Sequence, residues 1–148
     1  MSHLSRAPID VASLVSRVTR PDRGGHAAFV GTVRNHQGGR EVVGLEYSAY
    51  EPMADAVCAA IVAEAERRWP VEAALVHRVG ALGIGDVAVA IVVGGGHRDE
   101  AFAACRFVIE EVKRRAPIWK RERYADGTEA WVNPTAPSGG YPAAVTDR

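Results

Sequence analysis

The sequence predicts an α+β domain with a mainly antiparallel sheet and two long helices. Segments with helical spacing of apolar residues alternate irregularly with strand-like runs, which favours this class over a doubly wound one. Glycine-containing turns separate neighbouring strand-like runs, as they do in hairpins. The length of 148 residues fits one domain with its own hydrophobic core. We therefore expect one domain over residues 1–132 and a flexible tail over residues 133–148, which are rich in Pro, Gly and Ala.

The first half of the chain predicts two helices with two strands between them. Residues 9–18 carry apolar side chains at helical spacing, and residues 52–69 do so again over a longer segment. Residues 26–33 are dense in small and β-branched side chains and predict a largely buried strand. A glycine turn then leads to a second strand over residues 42–50, so these two strands resemble a hairpin.

The second half predicts two further strands, a long helix and a closing hairpin. Residues 71–79 and 87–93 have the composition of strands. Residues 98–116 carry a stripe of apolar side chains at helical spacing, and the helix ends at Pro117 because proline lacks a donor and restricts the residue before it. Residues 119–132 contain an Asp-Gly turn and predict the last hairpin.

Composition excludes several classes of protein. Eighteen basic and eighteen acidic side chains cancel at a pI near 7.0, so the whole chain is not attracted to nucleic acid or to an anionic membrane. No apolar run reaches the roughly 18 to 20 residues of a membrane span, and no secretory signal is evident, so we expect a cytoplasmic protein. Cys58 and Cys105 lie on apolar helix faces without metal-ligand spacing. We therefore expect no metal, no cofactor, no nucleic acid and no membrane as partners.

Nucleotide-binding and hydrolase motifs are absent, since there is no P-loop, no G-x-G-x-x-G, no G-x-S-x-G and no H-E-x-x-H. The remaining candidates are cationic. Lys113 lies at the margin of the apolar stripe of its helix, on the same edge as Phe102 and Arg106. A lysine partly removed from water beside another cation has a lowered pKa and can exchange protons near neutral pH. The alternative is a lysine whose stem only covers apolar surface.

Further cations lie outside this helix or at its start. Lys120 lies on a predicted strand where alternation puts Glu122 on the same face, and the alternative is a solvated basic edge strand. His97 and Arg98 follow three glycines at a helix start, where free N–H groups attract anions, although a plain surface connection has the same pattern. Arg34 closes a strand beside a flexible loop. This set contains no covalent nucleophile, so it suits a reaction whose nucleophile arrives with a partner.

Five stretches form an ordered set along the chain. They are FVGTVR at 29–34, YSAYEPMA at 47–54, HRVG at 77–80, HRDEAF at 97–102 and KRRAPIWKRE at 113–122. Short stretches recur by chance, but the ordered set is specific. Together they resemble the molybdopterin synthase catalytic subunits, and the resemblance covers about residues 25–132.

The resemblance implies an α/β hammerhead-type fold and a homodimer of catalytic subunits within a heterotetramer. It also implies a small ubiquitin-like sulfur-carrier subunit, whose C-terminal Gly-Gly thiocarboxylate enters a pocket that holds cyclic pyranopterin monophosphate. Two sulfur transfers would build the dithiolene of molybdopterin, so the chain would be a sulfurtransferase of molybdenum cofactor biosynthesis. The sulfur nucleophile would then belong to the carrier.

The resemblance also implies residues for the site. Lys113 and Lys120 match the family's catalytic lysines, and we expect the first to transfer protons and the second to stabilise developing negative charge. The expected substrate-binding residues are Arg34, His97, Arg98, Phe29, Glu122 and Arg106. Glycines at 94–96 replace a stretch that commonly carries serine, and Ser48 stands where the family often has glutamate. We therefore expect phosphate binding to differ in detail.

Two alternatives stay open. One is a non-catalytic module that binds single-stranded nucleic acid through a basic aromatic surface. Its residues would be Trp119, Lys120, Arg121, Arg123, Tyr124 and Trp131. The other is a degenerate family member that binds the carrier without catalysis. The zero net charge counts against the first alternative, and the presence of both lysines counts against the second.

Overall fold

The computed structural model describes residues 2–132, and the tail predicted over 133–148 lies outside the described residues. The helices are α1 Val11–Val18, α2 Glu51–Arg68 and α3 Arg98–Arg115. Most strand pairs are antiparallel. The predicted α+β class, with mainly antiparallel pairing and two long helices, is confirmed.

A four-stranded sheet forms the centre of the fold. Its strands are β1 Leu4–Ser5, β2 Gly25–Thr32, β5 Val71–Arg78 and β7 Val87–Gly95, in the order β1-β5-β7-β2. All neighbours are antiparallel except β1 and β5, which are parallel. Helices α2 and α3 cover one face of this sheet and α1 covers the other.

The core follows from this layering. Leu75 and Ile91 are buried on the face that α2 and α3 cover, whereas Ala74, Ala90 and Val92 pack on the face under α1. Strand β7 is covered on both faces, so its residues from Ala88 onward are buried in an unbroken run. Both cysteines are free and lie in the core, as predicted.

The prediction that residues 26–33 form a largely buried strand is correct for the strand and wrong for its burial. Only Ala27 is buried among the residues of β2, and Phe29 and Val30 each keep 39% of their surface exposed. Strand β2 is an edge strand that pairs only with β7, so much of its surface is left uncovered. Apolar composition predicted the strand but could not show its place in the sheet.

A second sheet lies beside the first. Its strands are β3 His36–Gln37, β4 Arg40–Ala49, β6 Gly80–Leu82, β8 Ile118–Tyr124 and β9 Glu129–Val132. The order is β3-β4-β8-β9, and β6 pairs with β4. The hairpin predicted between residues 26–33 and 42–50 is therefore wrong, because β2 and β4 belong to different sheets.

The turn residues explain both hairpins of the second sheet. Gly38 and Gly39 have positive φ of 58° and 79° and connect the short strand β3 to β4. Gly127, with φ of 89°, closes the predicted hairpin between β8 and β9, which is confirmed. Within residues 2–132, no helix is both long and apolar enough to cross a membrane.

Candidate functional site

Lys113 and Lys120 lie near each other at the end of α3, where the chain turns back into β8. Lys113 occupies the last helical turn, and Ala116 caps the helix through a bond from its N–H to the Val112 carbonyl. Only Pro117 separates this cap from β8. The charge of Lys120 acts on Lys113 strongly enough to shift its pKa. The fold thus brings together two lysines whose proximity could not be predicted from their order in the sequence.

Lys113 has a pKa close to neutral pH. Burial lowers this pKa from 10.5 to about 8, and the positive charges of Lys120 and Arg34 contribute to the shift. A lysine with such a pKa is populated in both its charged and neutral forms near neutral pH. Lys113 can therefore both accept and release a proton under physiological conditions.

Lys120 forms a buried pair with Glu122. The Lys120 Nζ lies 3.5 Å from Glu122 Oε2, and both side chains are nearly enclosed, with 13% and 4% of their surface exposed. Tyr124 donates from its hydroxyl to Glu122 Oε1 at 2.9 Å. Burial lowers the pKa of Lys120, while the negative charge of Glu122 opposes that shift. The carboxylate therefore holds the Lys120 ammonium in place inside the protein.

A small pocket connects these groups to solvent. It lies between the end of β2 and the inner face of β4 and β8, and its walls include Thr32, Arg34, Gln37, Tyr47, Lys120 and Glu122. The Arg34 guanidinium donates to the Gln37 side-chain oxygen across the pocket mouth. Two cations beside one carboxylate leave a net positive charge, which suits an anionic ligand.

The predicted anion-binding pair lies far from this pocket in the same chain. His97 caps the N-terminus of α3 and Arg98 begins the helix, whereas Lys113 lies fifteen residues further along. At the helical rise of 1.5 Å per residue, this separation is about 22 Å. Gly25 packs against the backbone here, since a Cβ would lie 3.0 Å from the Arg98 nitrogen. One chain therefore does not bring His97 and Arg98 to the lysines.

Phe29 and Arg106 lie between these two ends. They line an open groove between β2 and α3, together with Phe102, Cys105 and Ile109. Arg106 forms an exposed ion pair with Glu110 at 3.1 Å, one helical turn away. Phe102 is 62% exposed. Of the predicted residues, Lys113, Lys120, Arg34 and Glu122 thus share one site, while the others extend along α3 away from it.

Tyr47 and His77 are two buried residues at this site that the sequence did not single out for a role. Tyr47 lines the pocket and is 7% exposed. His77 is 4% exposed, and its ring contacts that of Tyr47 edge-on. The signals in the sequence are that each residue begins one of the five ordered stretches and that His77 continues the alternate core series of Ala73 and Leu75 on β5.

The basic aromatic surface proposed for nucleic acid does not form as a unit. Lys120 and Tyr124 point inward from β8, whereas Trp119, Arg121 and Trp131 remain on the outer face. Two carboxylates neutralise Arg121, since its guanidinium lies 2.7 Å from Glu46 and 3.1 Å from Glu129. Arg123 also lies exposed on the outer face, so Arg121 and Arg123 are balanced by Glu46 and Glu129, and the face has no excess positive charge to follow a nucleic-acid backbone.

Two largely buried lysines close to an arginine and a carboxylate are typical of an enzyme that moves protons and binds an anion. Comparisons with known proteins identify the class. A family model described as MoaE protein matches residues 4–115. The molybdopterin synthase catalytic subunit of Bacillus subtilis (strain 168) is 39% identical over 145 residues, which are 97% of this chain and 92% of that relative.

Solved structures agree with the family match. The crystal structure of molybdopterin synthase from Staphylococcus aureus has a TM-score of 0.84 at 35% identity, over 88% of this chain and 95% of that chain. A complex of subunits 1 and 2 of the molybdopterin-converting factor from Helicobacter pylori 26695 shares the fold, with a TM-score of 0.70 at 22% identity over 94% of this chain and 92% of that chain.

The chain belongs to the MoaE family, whose curated relatives are named molybdopterin synthase catalytic subunits. The predicted family and enzyme class are confirmed, and the predicted role in sulfur transfer fits this family.

Proposed function

We propose that this chain transfers sulfur from the C-terminal thiocarboxylate of a small ubiquitin-like carrier to cyclic pyranopterin monophosphate, which forms the dithiolene of molybdopterin. The observation that carries the proposal is the pair of largely buried lysines, one with a pKa of about 8, close to Arg34 and Glu122. This arrangement handles protons and binds anions but offers no sulfur nucleophile. It fits a reaction in which a partner supplies the sulfur.

The chain's own thiols do not compete for this role. Burial raises the pKa of Cys58 to about 12, and the negative charge of Asp55 contributes. Burial raises the pKa of Cys105 to about 11. The thiolate is the reactive form of cysteine, so neither side chain is nucleophilic near neutral pH. These are the only two cysteines of the chain, which supports an external source of sulfur.

The carrier's thiocarboxylate is an anion, and the pocket is positively charged. In the proposed mechanism, Lys120 is held by Glu122 and stabilises the thiocarboxylate or the negative charge that develops as its sulfur attacks. The attack joins the sulfur to the pterin as a thioester with the carrier while an oxygen substituent of the pterin departs, and water then cleaves the thioester and frees the carrier's carboxylate. Lys113 gives and takes the protons of these steps. Arg34 contacts the phosphate of the pterin. The name of the relatives, molybdopterin synthase catalytic subunit, fits a chain that works together with another subunit.

Reconstitution tests this function. The purified chain, mixed with a carrier already in its thiocarboxylate form and with cyclic pyranopterin monophosphate, is expected to form molybdopterin, detected as its fluorescent oxidation product. Arg34→Ala is expected to weaken pterin binding by roughly 10-fold or more, because a charge-assisted bond to phosphate is lost. The matched control is Arg67→Ala, which removes a surface arginine of α2.

Two results would contradict the proposal. A folded wild-type chain that binds the carrier but forms no product would be a degenerate, non-catalytic member. Tight binding of single-stranded RNA that weakens steeply with salt would favour the nucleic-acid alternative.

We also propose that the chain works as a homodimer within a heterotetramer, in the cytoplasm, and that the dimer completes the site. Phe29 on the edge strand β2 and Phe102 on α3 are exposed apolar side chains of the open groove between the lysines and the His97–Arg98 pair. A second copy placed there could bring its His97 and Arg98 toward the lysines, which are about 22 Å from the pair in the same chain.

Mixing inactive variants tests the shared site. Lys113→Ala and Arg98→Ala are each expected to be inactive alone, while their mixed dimer has one intact site. After exchange of subunits at equal amounts, about a quarter of wild-type activity should return, because half of the dimers are mixed and each has one good site. A mixture of Lys113→Ala with Lys120→Ala is the control and should stay inactive. No recovery in the first mixture, with mixed dimers verified by two affinity tags, would place each site within one chain.

A further inference from the structure

Tyr47 lies directly across from Lys120 on the neighbouring strand. Their Cα atoms are partners in the antiparallel pairing of β4 with β8. Residues that oppose each other in such a pair carry their side chains on the same face of the sheet, about 5 Å apart at Cβ. Both residues line the same pocket, together with Arg34 and Glu122. The tyrosine ring is therefore a wall of the lysine site.

His77 supports this wall from the other sheet. The centroids of the His77 and Tyr47 rings are 4.8 Å apart, and the ring planes meet at 85°, an edge-on geometry favourable for aromatic pairs. His77 Nδ1 lies 2.7 Å from the Arg78 carbonyl oxygen, which can only accept. Nδ1 therefore carries the proton, so this bond sets both the tautomer and the tilt of the ring.

The imidazole is neutral at physiological pH and lies close enough to Lys113 to respond to its charge. Burial lowers the pKa of His77 to about 4, the bond to the Arg78 carbonyl opposes this shift, and the positive charge of Lys113 adds to it. Tyr47 thus lies beside Lys120, and His77 lies within reach of the charge of Lys113. Through the contact of their rings, the two residues form an uncharged pair that adjoins both lysines.

We propose that the Tyr47–His77 pair is a positioning element of the lysine site, which fixes the relative placement of Lys113 and Lys120 and keeps water away from Lys113. The inference rests on the proposed function, since it assigns these residues a role in the same reaction. Among the described residues, the charges of Lys120 on β8 and Arg34 after β2 act on Lys113, which in turn acts on His77 of β5, and Glu122 lies beside Lys120. Tyr47 and His77 add bulk to this environment without adding charge.

The test compares variants that keep the ring with variants that remove it. Tyr47→Leu and His77→Leu are expected to lower the single-turnover rate of sulfur transfer roughly 10- to 100-fold, because small displacements of reacting groups have effects of this size. The KM for the pterin is expected to stay within about twofold, because neither residue is proposed to bind it. Tyr47→Phe keeps the ring and is expected to restore most of the rate.

The pH profile separates positioning from mere packing. When Tyr47 or His77 is replaced by leucine, water reaches Lys113 and its pKa rises from about 8 toward 10.5. The part of the pH–rate profile that reflects the titration of Lys113 then moves to higher pH. Ile91→Val, in the core of the same sheet, is the control, which should lose some stability but keep the rate and the pH–rate profile. The proposal would be overturned if the leucine variants were folded and less stable but kept the wild-type rate of sulfur transfer and the wild-type pH–rate profile.

A second measurement makes the inference independent of catalysis. Nitrogen-15 NMR of the lysine side chains measures the pKa of Lys113 without substrate or carrier. An upward shift in Tyr47→Leu and His77→Leu, with none in Ile91→Val, is expected even if the wild-type chain forms no product, in which case the proposed function alone would fail. An unchanged Lys113 pKa in both leucine variants would refute the positioning role, whatever the outcome of reconstitution.

Discussion

Replacing Lys113 by methionine is expected to abolish most of the activity and to make the protein more stable. The loss of a proton-transferring group lowers rates by about 10²- to 10⁴-fold. The gain in stability follows from the pKa of Lys113, which falls from 10.5 in the unfolded chain to about 8 in the folded one. The charged form is therefore disfavoured by folding, by up to about 3 kcal/mol at pH 7. Methionine fills similar space and carries no charge.

The sign of this effect gives a second measurement. The folded pKa is the lower one, so the penalty is fully present below about pH 8 and disappears as pH rises toward 10.5. Urea unfolding of wild type and Lys113→Met should therefore differ most at pH 7 and converge near pH 10.5. Arg114→Met, at the next position on the exposed side of α3, is the matched control and should change the free energy of unfolding by less than about 1 kcal/mol. If Lys113→Met were less stable than wild type at pH 7, folding would not disfavour the charged form of Lys113, and the prediction would be wrong.

Replacing Lys120 by methionine is expected to abolish activity to a similar extent but to destabilise the protein. Its removal leaves the Glu122 carboxylate buried, with the bond from Tyr124 but without its cation. A buried charge that loses its partner destabilises by about 2 kcal/mol or more. The substitution also removes the ammonium of Lys120, whose burial is itself unfavourable, as its lowered pKa shows. The net loss of stability is therefore smaller than the cost of leaving Glu122 unpaired. The two lysines thus have opposite effects on stability.

The double variant with Glu122→Gln separates the two contributions. Because the amide carries no charge, Lys120→Met with Glu122→Gln should recover much of the stability that Lys120→Met loses. Activity should not return, since the ammonium is still absent. A double-mutant cycle from urea unfolding is expected to give a coupling energy of about 1–2 kcal/mol. Independent effects of the two substitutions on stability would mean that the 3.5 Å contact carries no energy.

The periodicity of the sequence predicted the parts of the site that belong to one element. Helical spacing placed Lys113 at the margin of the buried stripe of α3, and strand alternation placed Lys120 and Glu122 on one face of β8. The distance between Arg98 and Lys113 could also be predicted, because both lie on one helix and the rise of fifteen residues determines it without knowledge of the fold.

Contacts between elements could not be read in the same way. The exposure of β2 depends on its edge position, and nothing in its composition distinguishes an edge strand from a central one. The Tyr47–His77 contact joins strands of two different sheets, thirty residues apart in the chain. Such a contact follows from the packing of the sheets, which local patterns do not encode.

The burial of Cys58 and Cys105 has a practical consequence for work on a sulfur-transferring enzyme. Alkylating reagents and peroxides attack thiolates that solvent can reach, whereas in the folded chain Cys58 is fully buried, Cys105 is 6% exposed, and both are held as thiols by their raised pKa values. A reaction mixture can therefore be treated with iodoacetamide to trap the sulfur of a carrier without labelling the catalyst. Alkylation of these two cysteines would in turn report unfolding, so the same reagent serves as a probe of the native state.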